Sequence, residues 1–187
     1  PANGSVTAEA ADFYALADSQ IVMGPAVVFA KLDGPVPLYV ITYSEGEVDS
    51  QLLGKLGLEA FQKVIAYFGS APFRHYSIVQ EFLKPIASDH QYSLSMEHMQ
   101  SGTFTLDVKL GITAASNESE KTRVLFNFAH HIAHSWIPKR AYGEGYFPFR
   151  WELAPVFDSI WFSEGFAQYA AMDALASAMP ETEAAKF

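Results

Sequence analysis

The chain has 187 residues, half of them hydrophobic, which is enough for one domain with its own core. Its net charge of −9 argues against nucleic-acid and anionic-membrane partners. It has no cysteine, which excludes disulfides and thiolate metal sites, and no apolar run reaches the roughly 18 residues of a membrane span. No signal peptide is visible, and the chain opens on Pro1 with no Met, as expected of a processed product or an excised piece. The compartment stays open.

Residues 1–20 are small and polar and read as a loose lead-in, with a short helix around Ala8 to Leu16. Residues 26–30 favour a strand, Asp33-Gly34 a turn, and Val36 to Tyr43 the return strand of a hairpin. Asp49 or Ser50 suits a helix N-cap. After it Leu53, Leu56, Ala60, Val64 and Phe68 recur at helical spacing up to Gly69. Gly54 and Gly57 each weaken that helix by roughly 1 kcal/mol relative to Ala, and would allow close packing on a sheet. Tyr76 to Leu83 reads as a strand, residues 86–103 as irregular, and Phe104 to Ile112 as another strand.

Asn117 with Glu120 three residues later predicts a capping box opening a helix over 118–136, which stops before Pro138. A loop over 137–155 holds Tyr142, Tyr146 and Phe147, and a last helix covers Phe157 to Met179. Trp136, Trp161 and Phe166 are expected in the core. Lys139 and Arg140 read equally as a surface pair and as substrate contacts. There is no internal repeat and no linker.

The stretch with the most chemistry is Val124 to Trp136. His130 and His134 lie four apart, so a helix sets them one above the other on one face, where two imidazoles can grip one ion. The zinc-peptidase pattern H-E-x-x-H puts a Glu general base between two such ligands. Here both ligand positions are filled and the base position holds His131. A catalytic zinc site needs a third protein ligand, and an anionic one is costly to bury among apolar neighbours unless something such as a dication pairs with it. Glu164, inside W-F-S-E-G-F-A-Q-Y, offers one.

Together, H-H-I-A-H-S-W-I-P-K-R and W-F-S-E-G-F-A-Q-Y resemble the glycyl aminopeptidase family of zinc metallopeptidases. That family carries H-E-x-x-H-x-W-x-x-K-R and then W-x-x-E-G-F-x-x-Y. Glu164 follows His134 by 30 residues (164 − 134), a separation that fits. Leu94 to His98 aligns with a family segment G-G-L-E-H in which the Glu helps bind the substrate's amino end. The resemblance implies His130, His134 and Glu164 as zinc ligands. It implies Glu97 and His98 as substrate-binding residues, and a catalytic role at the position of His131. It implies an α+β fold of thermolysin-like (gluzincin) type: a small mixed sheet packed on the helices that carry the metal site. Only 23 residues follow Glu164 (187 − 164), so the C-terminal helical lobe would be truncated and the single domain over 1–187 a fragment of a longer protein.

His131 has three readings: a substitute general base, a fourth metal ligand, or loss of catalysis. Two functions follow. One is a zinc metallopeptidase hydrolysing peptide bonds near the N-terminus, with activity weakened at His131. The other is a catalytically inactive homologue that keeps the cleft and binds a peptide or a partner.

Overall fold

In the computed structural model, which describes residue 4 and residues 6–147 and 158–177, five strands form one mixed sheet. In chain order the elements are α1 (Phe13–Ala17), β1 (Val28–Leu32), β2 (Leu38–Ser44), α2 (Ser50–Phe68), β3 (Tyr76–Leu83), β4 (Ser93–Glu97), β5 (Ser101–Asp107), α3 (Glu118–Ala133) and α4 (Ile160–Ala176). The strands lie in the order β1-β2-β3-β5-β4. The central three run parallel, and each edge strand runs antiparallel to its neighbour.

The β1–β2 hairpin closes across Asp33-Gly34, with Leu32 opposite Leu38. Parallel β2 and β3 need a crossover, and α2 supplies it. Asp49 caps α2 by accepting from the backbone N–H groups of Gln51 and Leu52, and Gly69 ends it in the left-handed region (φ 83°). Gly57 lets α2 lie against the sheet: a Cβ there would come within 2.9 Å of Ile78 Cδ1. One face of the sheet, with Leu38, Val40, Tyr76, Ile78, Phe82 and Phe104, packs on Phe61 and Val64 of α2 and Phe128 and Ile132 of α3. Helix α4 closes this layer through Ala167, Ala170, Ala171 and Ala174. No helix among the described residues is long and apolar enough to cross a membrane.

Several sequence expectations shift. The stretch expected to be irregular contains β4, an edge strand whose Leu94 and Met96 side chains are largely exposed. Lacking a buried face, it shows no alternation to read. Strand β5 begins at Ser101 and ends at Asp107, short of Ile112. Asp107 accepts from the Lys109 N–H and turns the backbone into one 3-10 turn, as short carboxylate side chains do. The lead-in helix is only five residues, starting at Phe13 under an Asp12 cap.

Trp161 and Phe166 are not in the core: they are 70% and 46% exposed. Helix α4 packs through its alanines, and the 100° step per residue turns Trp161, Phe166 and Tyr169 away from them. Trp136 does pack against the core, stacked on Phe68 with ring centroids 4.3 Å apart. Lys139 is buried rather than on the surface, its Nζ 5.7 Å from the centre of the Tyr146 ring. The expected ends of the last helix, Phe157 and Met179, lie outside the described residues, as do positions 148–155 of the expected loop.

Candidate metal centre

The capping box forms as its residues require: Asn117 accepts from the Glu120 N–H, and Glu120 accepts from the Asn117 N–H. Helix α3 runs from there to Ala133, and His134 occupies the C-cap with right-handed helical dihedrals. The i, i+4 relation of His130 and His134 therefore survives although the helix is shorter than expected. Both rings sit at the carbonyl end of the helix, where the macrodipole favours a cation.

Helix α4 brings Glu164 across from α3. The Nε2 atoms of His130 and His134 are 3.1 Å apart, and Glu164 Oε2 lies 3.3 Å from the first and 3.6 Å from the second. Donors about 2.0–2.2 Å from a tetrahedral zinc ion sit roughly 3.3–3.6 Å from one another. The triangle thus has the size of one face of such a site. The other nitrogen of His134 is also placed as a metal-binding histidine requires, with Nδ1 2.8 Å from the Ile137 carbonyl oxygen. That bond leaves Nε2 as its ligand atom. These residues fit a divalent metal.

The three side chains line a cavity of about 380 Å³ together with Ser95, Glu97, Phe126, Asn127, His131 and Gln168. Glu97, His131 and His134 form a second group whose ligand atoms lie within 4.8 Å of one another. His131 is 9% exposed, its ring set edge-on to Phe104 with centroids 4.9 Å apart. Burial, then the neighbouring His130 and His134, push its pKa down to about 3. Burial opposes the charge on His134, but the hydrogen bond to Glu164 and the nearby carboxylates outweigh it and raise that pKa. Hydrogen bonds from His130 and His134 hold the Glu164 carboxyl well below the usual carboxylate range.

His98 does not line this cavity. Its buried ring bonds Asp18 through Nδ1 (3.2 Å) and Gln20 and Thr103 through Nε2 (3.0 and 3.2 Å). Asp18 also accepts from the Met99 N–H, and Arg140 donates to the carbonyl oxygens of Met99 and Ser135. These bonds tie the lead-in and the segment after α3 to the β4–β5 turn that follows Glu97. So Glu97 enters the cavity and His98 anchors the strand end beside it.

Sequence reasoning passed over Gly102 and Tyr76. A Cβ on Gly102 would lie 3.2 Å from the Tyr76 hydroxyl and 3.4 Å from His131 Cβ, so glycine allows α3 to approach β5 there. The Tyr76 hydroxyl donates to the His131 carbonyl at 3.2 Å. A glycine inside a strand is itself the signal of such an approach, but the strand that the sequence pattern predicts starts at Phe104, two residues after Gly102.

The fold is shared with an aminopeptidase N family protein. That protein, from Idiomarina loihiensis, matches with a TM-score of 0.66 and 18% identity over 84% of this chain. The match covers 27% of its own length, so this chain spans about a quarter of it. No protein-family model and no curated protein sequence matches the chain. At this identity the likeness establishes the mixed α+β architecture.

Stability of the metal-free protein should fall as pH drops from about 6.5 towards 3. In that window the unfolded chain protonates His131, while the folded ring resists protonation. The depressed Glu164 acts in the same direction, its contribution being lost as pH falls below the ordinary 4.5. The raised His134 acts oppositely: its contribution is full below 6.5 and is lost as pH rises through the folded value. Urea denaturation across this range should show a shallower acid slope for His131→Gln than for the natural chain. Identical slopes would contradict the burial of an unprotonated ring.

Proposed function

We propose that this chain is a metallopeptidase-like unit of the gluzincin type, resembling glycyl aminopeptidases, that binds peptides by their amino end and hydrolyses them slowly. One observation carries the reading: His130 Nε2, His134 Nε2 and Glu164 Oε2 form a triangle 3.1–3.6 Å on a side at the wall of a cavity that also holds Glu97. His130, His134 and Glu164 would hold zinc, which when bound supplies Lewis-acid polarisation of a carbonyl.

The chain's own residues do the rest. The Glu97 carboxylate faces the cavity and would take a peptide's terminal ammonium group as a charge-assisted hydrogen bond. The carbonyl of Ile137 fixes the tautomer and orientation of His134. His131 stands where a proton acceptor is needed, yet a ring whose conjugate acid has a pKa of about 3 takes up protons poorly near neutral pH. That same observation favours the second reading, a unit that binds peptides without appreciable turnover.

Titrating the zinc-loaded protein with a short peptide and with its N-acetylated form tests the reading. The free amine should bind more tightly by about tenfold or more, from the roughly 1.5–3 kcal/mol of a hydrogen bond to a charged group. Glu97→Gln should remove most of that difference. Equal affinity for the two peptides would remove Glu97 from the reading.

A further inference from the structure

We propose that Glu97, His131 and His134 form a second, inner metal position that overlaps the first and shares His134 with it. The inference rests on the metal reading above and assigns His131 a role that reading leaves empty. The two donor sets are chemically alike, each with two imidazoles and one carboxylate, the combination that suits a first-row divalent cation such as zinc. The inner set comes from two elements, α3 and the end of β4, and its ligand atoms lie within 4.8 Å of one another. All five side chains line one cavity. His131 is buried, and its Nδ1 has no hydrogen-bond partner among the described residues. A buried ring nitrogen without a partner is costly unless something coordinates it.

The positions differ in depth. His131 and His134 are both buried, whereas Glu164 in the outer set is 48% exposed at its side chain. They also exclude each other. His134 Nδ1 is engaged with the Ile137 carbonyl, so only Nε2 can coordinate, and one nitrogen serves one ion. The two positions therefore hold a single ion between them. The outer position is its resting place, because Glu164 already contacts both imidazoles there. The inner position keeps the ion when an outer ligand is lost.

Calorimetric titration with zinc, and cobalt(II) absorption spectra as a second readout, test this on five proteins whose fold is checked by circular dichroism. The natural chain is expected to bind one ion. His130→Ala should still bind one ion, more weakly and with an altered cobalt spectrum, and Glu164→Gln likewise, so that either variant suffices if the other fails to fold. His134→Ala should bind none, and His130→Ala combined with His131→Ala should bind none. If the natural chain binds an ion but His130→Ala and Glu164→Gln do not, the inner position is wrong and the outer one stands. If the double variant still binds, His131 is not a ligand and the inner position is equally wrong. If the natural chain binds no ion, the metal reading itself fails and takes the inner position with it.

Discussion

Replacing His131 with glutamate is expected to raise the turnover of short peptides with a small N-terminal residue by about 10²–10⁴-fold, the usual contribution of a positioned general base. Position 131 faces the cavity that holds His130, His134 and Glu164, one helical step of about 100° from His130. The natural ring there is buried against Phe104, and its pKa of about 3 makes it a weak proton acceptor. A carboxylate in the same apolar setting has its pKa raised towards the range where proton transfer is efficient. It also offers two oxygens where an imidazole beside a metal offers one lone pair. The comparison is made by steady-state kinetics at fixed zinc, with both proteins shown to carry the ion. Efficient turnover by the natural chain, made worse by the substitution, would mean that His131 is a working base.

The second large effect belongs to His134. It belongs to both groups of residues that could hold a metal, and it is 1% exposed. His134→Ala should lower zinc affinity by more than the roughly 10–100-fold typical of losing an outer hydrogen-bond partner of a ligand, because a ligand itself is removed. Stability reports the same loss. Zinc at about 100 times its dissociation constant should stabilise the natural chain by about 2.7 kcal/mol, and should leave His134→Ala unchanged. Equal stabilisation of the two proteins would place the ion elsewhere.

Much of this arrangement is legible in the chain because its signals are local. Asp49 and Gly69 mark the two ends of α2, and Asn117 with Glu120 marks the start of α3, since caps depend on residues a few positions apart. The spacing of His130 and His134 carries their shared helix face directly. What stays hidden is decided by distant partners. Nothing near His98 announces Asp18, 80 residues away, as its neighbour, so His98 looked equivalent to Glu97. Strand β4 exists because β5 pairs with it, although its own side chains are largely exposed. Trp161 and Phe166 carry the size and polarity of core residues, and only the packing of α4 through its alanines turns them outward. The departure at His131 was visible, but its consequence needed the burial against Phe104 that only the fold provides.

The most direct test of the central claim is anomalous scattering at the zinc absorption edge from crystals of the natural chain grown with one equivalent of zinc. A single peak in contact with His130 Nε2, His134 Nε2 and the Glu164 carboxylate is predicted. A peak remote from His134, or no peak with Glu164 turned away from both histidines, would contradict it.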